Sequence, residues 1–172
     1  HKYWSPVDDE YLDWLVQDTL TTPIFVGETG ENSNLWYRDA IKLYEDNGIS
    51  WAWWPFKRID AIQPPLSINY NEKYKKIVDY WNTGNDKPSK EDAIEGLNQL
   101  TEDIKFENCF YHKDIIDAMF RQPFSDESVP YAENIIPGVI YSTNFDMGVM
   151  GSAYYDAGAD ANYCLLYTSP SP

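Results

Sequence analysis

The residue with the clearest chemical potential is Glu28, which stands between Gly27 and Gly30 after the short apolar run 24–26. In parallel α/β sheets, functional groups lie at the carboxyl ends of strands, where the loops leave the sheet. We expect the two glycines to allow a sharp turn there and to leave the carboxylate room to face a substrate. Such a Glu could be a nucleophile, a general base or a metal ligand, or it could cap the following helix.

Three tryptophans, Trp51, Trp53 and Trp54, lie in the second apolar segment. Because side chains alternate between the two faces of a strand, they cannot all be core residues. We predict core packing for Trp51. Trp54, at the carboxyl end of the strand, could form the floor under a sugar ring, with Trp53 as a further substrate contact. Lys57 follows three residues later and could hydrogen-bond a sugar hydroxyl.

Other chemistry is less well supported by the sequence. A metal site is not expected, because no His or Asp cluster accompanies Glu28 and the two cysteines, Cys109 and Cys164, form no CxxC motif. Whether these cysteines pair is open. For Cys109 and the nearby His112 we expect surface or packing roles.

The composition narrows the class of partner. A net charge of −15 without Lys and Arg clusters argues against nucleic acid. No apolar run has transmembrane length, so no membrane span is predicted. The 7 Trp and 14 Tyr residues are either large core side chains or platforms on which sugar rings stack. We predict a monomer.

The elements that position Glu28 and the tryptophans follow the order helix, strand, helix, strand. They are a helix opened by Ser5 and Pro6 and ending near 21–23, a strand at 24–26, a helix at 33–47 stopped by Gly48, and a strand at 49–54. This order with short links predicts a parallel α/β sheet. A (β/α)₈ barrel needs about 250 residues. Two such units cannot close a sheet alone. We therefore predict that residues 1–82 are only the C-terminal portion of a TIM barrel.

The remainder has a different character. We predict amphipathic helices at 71–81, 89–104 and 114–121, a linker at 123–137, and short strands at 138–141 and 152–155. Residues 83–136 are predicted to form a helical extension and linker. Residues 137–163 are predicted to begin a β-sandwich module.

The segment PIFVGETGENSNLWYRDAIKLYEDNGISWAWWPFK resembles the last two β/α units of glycoside hydrolase family 5, the retaining cellulases and mannanases. The resemblance covers residues 1–82. That family carries its nucleophile in a Gly-Glu-x-Gly turn, which matches Glu28, and an active-site Trp in a Trp-Ala-x-Trp-like segment, which best matches Trp54. Its His-x-Tyr motif matches His1 and Tyr3. Tyr3 is then expected to hydrogen-bond the nucleophile, and His1 to line the −1 subsite.

The resemblance implies hydrolysis of a β-linked polysaccharide, such as cellulose, β-glucan or mannan, by double displacement. The second catalytic Glu of the family follows an Asn on the fourth strand, before the segment that matches His1. The chain alone is therefore expected to be an inactive fragment. The family also implies that the parent enzyme is extracellular or periplasmic. The alternative is a non-catalytic carbohydrate-binding or scaffold protein.

A second resemblance lies in IPGVIYSTNFDMGVMGSAYYDAGADAN, which is similar to the opening of a family 6 carbohydrate-binding module. That family has an Ala-Glu pair whose Glu serves a structural calcium, whereas this chain has Ser142 and Thr143. We predict no cofactor, and a structural calcium in this module stays an open alternative. Residues 164–172 resemble translated sequencing-adapter read-through, and we expect them to be non-native.

Overall fold

The computed structural model describes residues 5–17 and 22–155. The helices are α1 (Asp9–Val16), α2 (Asn34–Asp46), α3 (Glu72–Thr83), α4 (Lys90–Asp103) and α5 (Lys113–Phe120), and the strands are β1 (Phe25–Thr29), β2 (Ser50–Trp53), β3 (Lys57–Ile59), β4 (Leu66–Ile68) and β5 (Phe110–Tyr111). The chain divides into two compact units. The first contains the described residues of 1–56, 63–65 and 112–172, and the second contains 57–62 and 66–111.

The parallel pair predicted from the sequence is present in the first unit. Strands β1 and β2 pair in parallel, and α2 connects them. Ser33 begins α2 because its hydroxyl accepts the Trp36 N–H at 3.3 Å. Gly48, with φ +63, follows the helix end in the left-handed conformation that favours glycine. The predicted helix and the parallel pairing are confirmed.

The core of the first unit lies between α2, α5 and one face of the β1–β2 sheet. Its buried members are Tyr11, Trp36, Tyr37, Ala40, Ile41, Tyr44, Ile49, Ile115, Ala118 and Met119. Ile24, Val26, Trp51 and Trp53 pack against this cluster with part of their surface exposed. Strand residues and one helix stripe therefore meet in the manner of a β/α unit.

The first helix begins later than the sequence indicates. Its N-cap is Asp8, whose carboxylate accepts the Tyr11 N–H at 2.9 Å, so the prediction that Ser5 caps a helix opened by Pro6 is wrong. A carboxylate at the N-cap is favoured because the free N–H groups there carry partial positive charge.

The second unit holds a small mixed sheet and a helix pair. Strand β4 pairs in parallel with β3 and antiparallel with β5. Helices α3 and α4 begin at the N-caps Asn71 and Ser89, whose side chains accept the N–H groups of Tyr74 and Asp92. These are the first residues of the ranges predicted as helices, and both predictions are confirmed.

Residues 121–155 contain turns and isolated bridges rather than strands. The bridges join Val129 to Met147 and Met150 to Tyr154. The prediction of strands at 138–141 and 152–155 is therefore wrong, because neither tetrapeptide has a partner strand to satisfy its backbone groups. Within the described ranges, none of the helices has both the length and the apolar character needed to cross a bilayer.

Candidate functional site

Glu28 lies inside β1 rather than on a turn after it. The strand runs from Phe25 to Thr29, so the prediction that it ends at residue 26 is wrong. The pairs Val26–Trp51 and Thr29–Trp53 leave one additional residue on β1, which is a bulge-type register shift at 27–28. Bulges occur often beside active sites, where they change the direction of a side chain. Glu28 is half-buried at this irregularity.

The two glycines beside Glu28 have different reasons to be glycine. Gly30 has φ +150, and a Cβ atom there would lie 2.1 Å from the carbonyl oxygen of Trp54. Gly27 has no positive φ, and its nearest neighbour would be a ring carbon of Phe25 at 3.6 Å. The expectation of two turn-forming glycines thus holds for Gly30 only, where the chain must pass close to Trp54.

The segment after Glu28 is fixed by backbone and side-chain hydrogen bonds. Trp54 donates its N–H to the Thr29 carbonyl at 2.8 Å. The Asn32 N–H donates to the hydroxyl of Tyr37 at 2.8 Å, and the Asn32 side chain accepts the Ser33 N–H at 2.7 Å. The helix-cap role that the sequence leaves open for Glu28 belongs to Ser33.

The tryptophans of the second strand differ in exposure. Trp51 packs against the core, as expected, and its Nε1 donates to Oε1 of Glu45 at 2.8 Å. Trp53 also packs against the core, and its ring lies edge-on to Tyr37 with 4.4 Å between centroids. Its Nε1 is buried without a hydrogen-bond partner in the described part of the chain. Trp54 is 51% exposed, which leaves ring surface available to a ligand.

Of the remaining predicted site residues, one belongs to the second unit and two lie outside the described residues. Lys57 belongs to the second unit, where its ammonium group donates to the carbonyl of Ile104. His1 and Tyr3 lie outside the described residues. The structure therefore describes Glu28, Trp53 and Trp54 in one unit, at the carboxyl ends of adjacent parallel strands.

Buried polar residues that the sequence did not single out join α2 to α5. Asp114 is 4% exposed and accepts a hydrogen bond from Nδ2 of Asn34 at 2.8 Å. Burial raises the pKa of the Asp114 carboxyl, and the Asn34 hydrogen bond opposes that shift in part. Burial likewise lowers the pKa of His112, against the attraction of Asp114. The expected surface or packing role of His112 is confirmed in its buried form.

Tyr37, whose hydroxyl accepts the Asn32 N–H, is not among the site residues predicted from the sequence. The available signal was its spacing, because residues 37, 40, 41 and 44 follow the i, i+3, i+4, i+7 pattern of a buried helix face.

No group of three or more His, Cys, Asp or Glu side chains in the described ranges could hold a metal ion. Cys109, in the second unit, directs its thiol to the Lys105 carbonyl at 3.1 Å. The β1–β2 sheet carries Glu28 near the end of one strand and the exposed indole of Trp54 directly after the other. In comparisons with known proteins, the chain matches no family model, no curated protein and no solved structure.

Proposed function

We propose that this chain carries the nucleophile portion of a retaining glycoside hydrolase that cleaves a β-linked polysaccharide. The observation that carries the proposal is the position of Glu28 at a register shift, one residue before the carboxyl end of a parallel strand. The adjacent strand ends in the exposed ring of Trp54. A carboxylate beside an indole face is an arrangement that can attack a sugar while the ring supports it.

The exposed face of β1 supports the proposal that the β1–β2 sheet belongs to a barrel. Val26 packs into the core, whereas Phe25, on the opposite face of β1, is 64% exposed. Parallel sheets occur almost only with both faces covered. A barrel interior, filled by side chains from further strands, is the cover that we propose for this face.

In the proposed reaction, the Glu28 carboxylate attacks the anomeric carbon, and the bond from that carbon to the glycosidic oxygen breaks. A second Glu protonates the departing oxygen, and water then hydrolyses the glycosyl ester with that Glu acting as base. The resemblance puts this acid/base residue on an earlier strand of the barrel. His1 and Tyr3 would complete the environment of the nucleophile.

The test is a matched pair of substitutions in the protein encoded by the complete gene. Glu28→Gln is expected to lower turnover of β-1,4-glucan or β-1,4-mannan by about ten-thousand-fold or more, because no ester can form. Glu91→Gln changes an exposed carboxylate of α4 in the same way and is expected to keep turnover within about threefold of the original enzyme.

Two further measurements identify the nucleophile itself. A dinitrophenyl 2-deoxy-2-fluoro-β-glycoside should leave its sugar on the peptide that contains Glu28, as detected by mass spectrometry. With Glu28→Ala, added azide should restore turnover and yield the α-glycosyl azide, because the small anion attacks from the vacated side.

Unchanged turnover in Glu28→Gln would reject the proposal. Polysaccharide binding without any hydrolysis by the original protein would favour the non-catalytic alternative.

A further inference from the structure

The turn that follows Glu28 is hydrogen-bonded to a buried side chain of α2. Tyr37 is fully buried, and its hydroxyl accepts the Asn32 N–H at 2.8 Å. The same hydroxyl donates to the Gln63 carbonyl at 3.1 Å. One oxygen atom therefore joins the turn after β1 to the segment 63–65, and both its donor and its acceptor capacity are used.

The ring of Tyr37 makes a second attachment. It meets Trp53 at an interplanar angle of 77°, an edge-to-face arrangement that fixes the relative position of two aromatic rings. A Cβ atom on Gly30 would lie 3.4 Å from Cε2 of Trp53, so this glycine passes directly beside the indole. Tyr37, Trp53 and Gly30 thus form one packed group immediately after the strand that bears Glu28.

The hydroxyl of Tyr37 has a reason to be there beyond packing. A buried hydroxyl is unfavourable unless it is hydrogen-bonded, and a phenylalanine would fill the same space without that requirement. Burial raises the pKa of Tyr37 far above its usual range, with the charge of Glu31 acting in the same direction. The raised pKa favours the protonated hydroxyl, which is the form that can donate to the Gln63 carbonyl.

We propose that Tyr37 is a positioning residue for Glu28: its hydroxyl and ring hold the turn from Gly30 to Asn32, and hence the direction of the Glu28 carboxylate. This inference rests on the proposed nucleophile role of Glu28. Tyr37 acts through the backbone of the turn and through Trp53, so its removal should affect the chemical step more than the affinity for sugar.

The experiment compares Tyr37→Phe with Tyr11→Phe in the protein encoded by the complete gene. Tyr11 is also buried, and its hydroxyl bonds that of Tyr44 at 2.7 Å. Each variant thus loses one buried hydroxyl. Trapping by the fluoroglycoside is measured over a range of probe concentrations, at a temperature where circular dichroism shows all proteins folded. Saturation then separates the half-saturation concentration from the maximal trapping rate.

We expect Tyr37→Phe to lower the maximal trapping rate by about tenfold to a hundredfold with little change in half-saturation. Tyr11→Phe should stay within about threefold of the original rate. Amide hydrogen exchange supplies a second measurement, in which the Asn32 N–H should exchange faster in Tyr37→Phe and not in Tyr11→Phe. Any global loss of stability would act on both variants.

The outcomes distinguish the two proposals. Trapping of Glu28 at the same rate in Tyr37→Phe and in the original protein would overturn the positioning role and leave the nucleophile in place. Equal slowing in both tyrosine variants would also overturn it, since loss of any buried hydroxyl would then suffice. No trapping of Glu28 in the original protein would overturn the proposed function, and the positioning role with it.

Discussion

Helix α2 in the first unit and the pair α3–α4 in the second are both amphipathic, yet different interactions fix them. Helix α2 buries Trp36, Tyr37 and Tyr44 at 3%, 0% and 0% exposure. Of the residues in α3 and α4, only Ile77 and Gly96 are buried. The same local pattern of caps and apolar spacing thus leads to a dense aromatic core in one place and to a lightly packed pair in the other.

The charged and polar groups differ in the same way. Around α2 they are buried and hydrogen-bonded, as in the contact of Asn34 with Asp114. Between α3 and α4 they are exposed ion pairs, in which Lys73 meets Asp92 at 2.9 Å and also bonds Glu95. Exposed pairs contribute little to stability and restrict position weakly. The polar groups around α2 are therefore held more firmly in position than those between α3 and α4.

The largest effect on stability is expected from a pair of glycine substitutions, one before and one after Glu28. Gly30→Ala should lower the free energy of unfolding by about 2 to 5 kcal/mol, since it combines a strained φ with a clash against the Trp54 carbonyl. Gly27→Ala should change it by no more than about 0.5 kcal/mol, because the site is open and its φ is ordinary. Urea unfolding of the two variants makes the measurement.

Equal effects at the two positions would mean that Glu28 lies on a symmetric glycine turn, as the sequence suggested, and that β1 does not extend to Thr29. A large effect at Gly30 alone would support the close passage of the chain by Trp54 that fixes the Glu28 segment.

In the second unit the corresponding close approach is at Gly96. A Cβ atom there would lie 2.7 Å from the backbone nitrogen of Tyr74 and 2.8 Å from the carbonyl carbon of Lys73. Helix propensity alone predicts that Gly96→Ala stabilises α4 by about 1 kcal/mol. We expect the opposite, a loss of about 1 to 3 kcal/mol, because the two helices must separate.

The matched control for that change is Asn98→Ala, which alters an exposed position two residues along α4. It should raise helix stability by a few tenths of a kcal/mol, about the difference in propensity. If Gly96→Ala also stabilises the protein in a urea titration, then α3 and α4 do not approach each other closely. The α3–α4 pair would then be packed even more loosely than the core around α2.

Local rules predicted the starts of α2, α3 and α4, but not the start of α1 or the ends of the strands. The N-caps Ser33, Asn71 and Ser89 each begin a helix that the sequence predicts, because a cap is a contact over three residues. The end of β1 depends on Trp54, which donates to the Thr29 carbonyl from a distant part of the sequence. Its bulge, and hence the setting of Glu28, could not be predicted from the glycines alone.

The same limit applies to the network beneath the candidate site. Asn34 and Asp114 are separated by 80 positions, and each alone resembles an ordinary surface residue. The prediction of strands at 138–141 and 152–155 was wrong for the converse reason. Their apolar pattern is local, whereas a strand needs a partner, which the described chain does not supply there.

The smallest effect that we predict compares a buried and an exposed carboxyl through pH. Burial raises the pKa of Asp114 above 3.8, so the folded state binds this proton more tightly than the unfolded state. Its contribution to stability is therefore most favourable below about pH 4 and is lost as pH rises through the raised pKa. For Asp92 the hydrogen bond from Lys73 lowers the pKa, so the contribution is present above 3.8 and is lost as pH falls through the lowered pKa.

The opposite signs are tested with Asp114→Asn and Asp92→Asn in urea titrations from about pH 3 to about pH 7, which extend to both sides of the ordinary Asp pKa of about 3.9. Asp114→Asn keeps an oxygen acceptor for Asn34 and should become more stable than the original protein as pH rises. Asp92→Asn should become slightly less stable over the same rise, because it loses the charge that attracts Lys73. Loss of the Asp114 charge also lowers the pKa of His112 further, which makes Asp114→Asn less stable as pH falls and so acts in the same direction. Two difference curves with the same sign would show that Asp114 is solvated like Asp92, and that the polar groups beside α2 are no more buried than those of the α3–α4 pair.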